Sequence, residues 1–229
     1  MSRLMIEAST ALCLLQDAGR FGVRHLGVTQ GGAADWRSMS WANWLLGNSL
    51  NAPVIEITLG GFTVVAEEDC VLALAGADLG AQVDGEALAP WRSFRLNKGQ
   101  QLQFTQPRLG ARAYLAAPGG FDAPKVLGSS ATVVREELGG LDGMGRALAK
   151  DAQLSYSGSS LLLLRQLAPE QVPDFNSTRR WTWCSAPRSV SSVDRVRLTR
   201  STASGPSTAV PTGWASACWE RRCSIRVSR

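Results

Sequence analysis

Four polar side chains stand close together in QDAGRFGVRHLGVTQGGAAD: Asp17, Arg20, Arg24 and His25. The glycines among them allow close backbone approach, so this loop could face a ligand. Its cations could hold a carboxylate or carbamate group. The sequence favours the structural alternative, in which Asp17 and Arg20 pair with each other and brace the loop, since structural ion pairs outnumber sites. His25 is the single histidine of the chain, so any imidazole acid–base step falls to it. The other reading is an ordinary loop histidine. Asp35 closes the stretch, and Asp17, Arg20, His25 and Asp35 form the candidate catalytic set. Glu56 and Asp78 lie within or just after the apolar runs VIEITLGG and LALAGAD, while Asn43 interrupts an apolar helical neighbourhood. Polar groups in such places are either buried with a partner or turned into a cleft, so these three are candidate substrate-binding residues.

Several chemistries are not written in the sequence. No P-loop pattern is present, so the chain offers no nucleotide cradle of its own. GGLDGMGR lacks a strand-then-helix context and reads as a turn. No Gly-x-Ser-x-Gly elbow occurs. Cys13, Cys70, Cys184, Cys218 and Cys223 form no Cys-x-x-Cys pair, and with one histidine they predict neither a metal site nor a disulfide framework.

The elements that must position these residues follow from periodicity. Leu4–Leu15 reads as one or two strands. Asp35 stands at an N-cap position, and WRSMSWANWLLGN then places Met39, Ala42, Leu45 and Leu46 on one face. This predicts a helix from Trp36 to Leu46, stopped by Gly47-Asn48. After Pro53 the period becomes extended. Strands are expected on both sides of Gly60-Gly61, about an Asp84-Gly85 hairpin turn, about Asn97–Gly99, and over ARAYLAAPGG and QLSYSGSSLLLLRQL. Short strands at this spacing predict an antiparallel barrel or sandwich. No apolar run is long enough for a membrane helix and no signal peptide is evident, so the expected location is cytoplasmic.

Charge is unevenly distributed. The net charge is +5, yet Asp174–Arg229 holds ten arginines and three acids, for +7, which leaves −2 on residues 1–173. That last stretch also holds four of the eight tryptophans and three of the five cysteines, without amphipathic period. A basic nucleic-acid-binding arm would need its cations ordered along a face, and these are not, so no nucleic-acid partner is expected.

Taken in order, QDAGRFGVRHLGV, GGAAD, ANWLLGN, EITLGG, ALAGADLGA, APWRSF, AYLAAPGG and LGSSAT resemble the allophanate hydrolase subunit 2 family. This biotin-dependent carboxyltransferase-like family includes the C-type subunit of 5-oxoprolinase and the kinase-inhibitor antagonist KipA. The resemblance covers residues 4–165. It implies a mainly β, cyclophilin-like antiparallel β-barrel with one or two short helices over residues 1–170. It implies a B-type partner subunit (KipI-like or allophanate hydrolase subunit 1-like), no biotin attachment site here, and ATP used by the complex. The implied reaction is hydrolysis of an amide or lactam, foremost 5-oxoproline to glutamate. A KipA-like regulatory role is the alternative. Thr29, Gln30 and Gly31 replace the family's usual proline and serine before Gly-Ala-x-Asp, so the loop need not keep the family's shape.

The family continues into a second, similar half, which is expected just after Trp181. Instead, residues 171–229 read as an irregular tail. Regrouping the codons of Gly205–Arg222 by joining each third base to the next two, starting from Ser204, is compatible with WTVDRRADRMGISLLGAPL. That resembles the family's second-half motif around Asp-Arg-Met-Gly. The tail is therefore expected to be a frameshifted translation from near Thr182, and the product to be truncated and inactive.

Overall fold

The computed structural model describes residues 2–158 and 164–175. The part of the last expected strand in 159–163, and the tail beyond 175, lie outside the described residues. The chain divides into a unit of Met1–Arg179 and one of Arg180–Arg229, and the first holds all the described residues.

Eleven strands and one α-helix make up the described part: β1 (Ser2–Ala8), β2 (Cys13–Gln16), α1 (Trp36–Leu46), β3 (Val54–Thr58), β4 (Phe62–Ala66), β5 (Cys70–Asp78), β6 (Ala81–Val83), β7 (Glu86–Ala87), β8 (Arg92–Leu96), β9 (Gln101–Phe104), β10 (Leu109–Ala116) and β11 (Gln153–Tyr156). The mainly β, antiparallel expectation holds. The strands do not close into one barrel, however. They form two sheets, ordered β11-β1-β4-β9-β6-β7 and β2-β3-β10-β5-β8.

The division explains the turn residues. Of the tight turns read from the sequence, Asp84-Gly85 alone joins strands that pair with each other, β6 and β7, with both residues at positive φ (49° and 87°). At Gly60-Gly61, and at Asn97–Gly99, the chain crosses from one sheet to the other. Gly60 is required there: a Cβ would lie 2.7 Å from the Thr105 carbonyl oxygen, at a φ of +85°.

Two apolar layers result. Leu4, Ile6, Phe62, Val64, Leu102 and Phe104 of the first sheet meet Ile55, Ile57, Leu72, Leu74 and Leu115 of the second. The second sheet is also buried on its far face, where Val54, Val71, Ala73, Ala75, Tyr114 and Ala116 pack under Met39, Ala42, Leu45 and Leu46 of α1. That is why β5 reads as an unbroken apolar run and is buried at every residue from Cys70 to Ala77. The helix has the bounds its periodicity predicts, with Asp35 as N-cap accepting from the Ser38 amide and Gly47 as left-handed C-cap. Cys13 and Cys70 are buried free thiols, and burial pushes Cys70 up to about 11. No described helix is long and apolar enough to cross a membrane.

Candidate functional site

Between β2 and α1 the glycine-rich loop folds back on itself. The Arg20 amide donates to the Gln30 carbonyl (2.7 Å), and the Ala33 amide to the Asp17 carbonyl (2.9 Å). Two backbones this close leave no room for side chains. A Cβ on Gly19 would lie 2.6 Å from the Gly31 carbonyl oxygen, and one on Gly32 would lie 2.9 Å from that of Ala18.

A second loop, between β10 and β11, closes over the first. Asp17, buried, accepts from the Gly19 amide (2.7 Å), the Ser129 hydroxyl (2.6 Å) and the Ser130 amide (2.8 Å). Arg20 is 1% exposed. Its Nε donates to the Val126 carbonyl (3.0 Å) and one terminal nitrogen to the Ala131 carbonyl (2.7 Å), while its other nitrogen, Nη1, has no partner among the described residues. Burial lowers the Arg20 pKa, opposed by the charges of Asp17 and Glu136. Asp17 and Arg20 therefore brace the loops, but through serines and backbone rather than as an ion pair with each other. GGLDGMGR forms the turn expected of it and packs on Arg20: a Cβ on Gly139 would sit 2.5 Å from the guanidinium.

Thr29 gives the loop its own tether. Its amide (3.0 Å) and its hydroxyl both donate to Glu136, and Arg135 donates to the Thr29 hydroxyl (3.0 Å) and to Glu136 (2.8 Å). These hydrogen bonds, the Thr29 hydroxyl first, hold the Glu136 carboxyl down at about 2.

A third cluster adjoins the loop's exit. Glu56, buried in β3, accepts from the Ala34 amide (2.8 Å) and the Tyr114 hydroxyl (2.8 Å), and its other oxygen lies 3.5 Å from Arg112 Nε. The Asp35 amide donates to the Tyr114 hydroxyl (2.7 Å). Burial, then the Glu56 charge, raise the Tyr114 pKa. Asp35 also accepts from the Ser38 amide and hydroxyl. The loop end and the N-terminus of α1 are thus pinned to the second sheet.

The structure brings Asp17 and Arg20 together against residues 126–131, and Asp35 and Glu56 together through Tyr114 at the adjoining end of the loop. His25 is exposed on a short 3-10 turn, Arg24–Leu26, where Arg24 donates to Gln30 (2.8 Å). Asn43 stands apart, donating to the Leu50 and Ala52 carbonyls and accepting from Asn48, which fixes the turn after α1. Asp78 accepts from the Gly80 amide (2.9 Å) at the β5–β6 corner, away from the loops. Sequence reasoning missed Tyr114, Ser129, Ser130 and Glu136. LGSSAT was noticed for its resemblance alone, and nothing in its pattern announces a partner 112 residues away. Among the described residues no group of His, Cys, Asp and Glu could hold a metal ion.

A two-sheet antiparallel fold with one helix on its outer face, and a doubly braced glycine loop at its edge, is the class of protein in hand. The chain belongs to the carboxyltransferase domain family, subdomains A and B, whose match covers residues 26–200. It is 44% identical over 148 residues to the C-type subunit of 5-oxoprolinase from Escherichia coli strain K12, covering 64% of this chain and 46% of that protein. It is 34% identical over 148 residues to the Haemophilus influenzae protein of the same name, covering 65% and 47%. Urea amidolyase of Saccharomyces cerevisiae is 31% identical over 166 residues, 71% of this chain and 9% of that enzyme. Among solved structures, TTHA0988 superposes with a TM-score of 0.67 at 31% identity, over 75% of this chain and 63% of the other. The chain thus spans just under half the length of the 5-oxoprolinase subunits it matches.

Proposed function

We propose that the chain belongs to a subunit of an ATP-dependent amide hydrolase complex of the 5-oxoprolinase type, which opens the lactam of 5-oxoproline to glutamate together with a B-type partner subunit. The observation that carries this reading is the 44% identity to a C-type 5-oxoprolinase subunit over 148 residues. In this reading the paired loops are the working surface. Arg20 and Asp17, being buried, act as positioning residues, and the exposed Arg24 and His25 are the groups able to meet a carboxylated substrate. ATP is used by the complex, and none of the described residues is assigned to hold it. The location is cytoplasmic, and the residues after Trp181 are an out-of-frame translation.

The test is ATP-dependent release of glutamate from 5-oxoproline, with the partner subunits present, by the chain as written and by the chain with the displaced frame restored after Trp181. The restored chain is expected to turn over and the written one not. No glutamate from the restored chain contradicts the substrate assignment. Full turnover by the written chain contradicts its inactivity.

A further inference from the structure

Two of the three guanidinium nitrogens of Arg20 brace the loops, and the third has nothing to hold. Nη1 is buried without a hydrogen-bond partner among the described residues, in a residue 1% exposed. Its charge is equally uncompensated, for among the described residues Arg20 forms no ion pair. The two acids whose charges act on it are committed elsewhere. Asp17 accepts from Gly19, Ser129 and Ser130, and Glu136 from Thr29 and Arg135. A buried cation with an idle donor and no counter-charge is costly, and an anion brought to that donor offsets the cost.

Gly31 marks where an anion can reach it. This residue is exposed, with a φ of +64°. The point where its Cβ would stand lies 3.4 Å from Arg20 Nη1, 2.7 Å from Val133 Cγ2 and 3.7 Å from Ala131 Cβ. With no side chain at position 31, the methyl of Val133 lies nearest that point, and Val133 is only half-buried. A turn of Val133 about χ1 carries the methyl away. Arg24, exposed, donates to Gln30, the residue before Gly31 (2.8 Å), and adds a second cation at this place. We propose that Arg20 Nη1, uncovered at Gly31 when Val133 turns aside, receives the carboxylate of a small carboxylated substrate. The room freed by one methyl suits a planar carboxylate better than a tetrahedral phosphate. The proposal rests on the 5-oxoprolinase reading and assigns the group that meets the acid of 5-oxoproline, while Nε and Nη2 keep their bracing role.

Calorimetric titration of the full chain, beside thermal melting of each variant, tests it with three ligands: 5-oxoproline, 2-pyrrolidinone, which is the same lactam without the acid, and inorganic phosphate. The wild-type chain should bind 5-oxoproline at least about tenfold more tightly than either of the others. Gly31→Ala sets a methyl on the point that Nη1 faces and should weaken 5-oxoproline at least about tenfold. Val133→Leu enlarges the cover, leaves Gly31 and Arg20 in place, and should weaken it in the same direction. Val133→Ala removes the cover and should bind as tightly as wild type or more so. Unaltered affinity in Gly31→Ala and Val133→Leu overturns the site, as does a loss in Val133→Ala as large as theirs. 2-Pyrrolidinone or phosphate bound as tightly as 5-oxoproline overturns the carboxylate assignment. Absence of 5-oxoproline binding by the wild-type chain also overturns the site; glutamate release by the frame-restored chain then shows whether the substrate reading stands without it.

Discussion

From Cys70 to Ala77 every residue of β5 is buried, and apolar side chains from the facing sheet and from α1 cover it on both sides. Between Asp17 and Ala33, by contrast, the exposed residues include Phe21 and Leu26, and the chain is held by backbone contacts and by polar groups reaching across from residues 126–136. The first region is stabilised by area removed from water, which is tolerant in detail and strong in sum. The second depends on each buried polar group finding its partner, since one left unpaired costs more than a satisfied one contributes. A glycine-rich loop can thus be held by paired polar groups without being covered by apolar ones.

The largest effect is expected at the sheets. Ile57→Ala removes a fully buried side chain between them and should lower stability by about 2–5 kcal/mol, as a single cooperative loss of both sheets in denaturant unfolding. A loss confined to one sheet would separate what the shared layer joins. Next comes the point where the two regions meet. Tyr114→Phe removes the hydroxyl that serves both Glu56 and the Asp35 amide, and should cost about 1–3 kcal/mol by the same measurement. Asp35→Ala, which removes the cap of α1 alone, should cost about 1 kcal/mol and lower helical circular dichroism slightly.

The smallest effect is in acid. Glu136 titrates at about 2 in the folded chain, below its ordinary 4.5, so its contribution is fully present above pH 4.5 and is lost as pH falls toward 2. Protection of the Thr29 amide should therefore hold above about pH 4.5 and decline progressively as pH falls toward 2, while sheet amides keep theirs.

The two regions were also unequally legible. Helix α1 could be bounded from Met39, Ala42, Leu45 and Leu46 with Asp35 ahead of them, because spacing and capping are local signals. Strand existence was legible for the same reason. Sheet membership was not: the glycines at 60, 61 and 99 mark sharp reversals, and a corner that changes sheets needs the same positive φ as a hairpin. Of the candidate residues, Asp17 and Arg20 both reach residues 126–131, and Asp35 and Glu56 meet through Tyr114. Their partners were not legible, because Ser129, Ser130 and Tyr114 lie 58 to 113 residues away along the chain. Arg20, too, reads as an exposed ligand-binding cation until its burial against backbone carbonyls is seen.

Arg20 holds the loop layer, whereas the sheets rest on apolar burial and on their own backbone ladders. Native-state hydrogen exchange in Arg20→Ala tests it most directly. Three amides report on the loops, those of Arg20 itself toward Gln30, Ser130 toward Asp17 and Gly145 toward Gly139; Tyr114 and Leu115 in β10 report on the sheets. The loop amides should exchange at least about tenfold faster in the variant, for the loss of one or more charge-assisted hydrogen bonds, with the sheet amides unchanged. Loop and sheet amides accelerating together, or loop amides as protected as before, would contradict it.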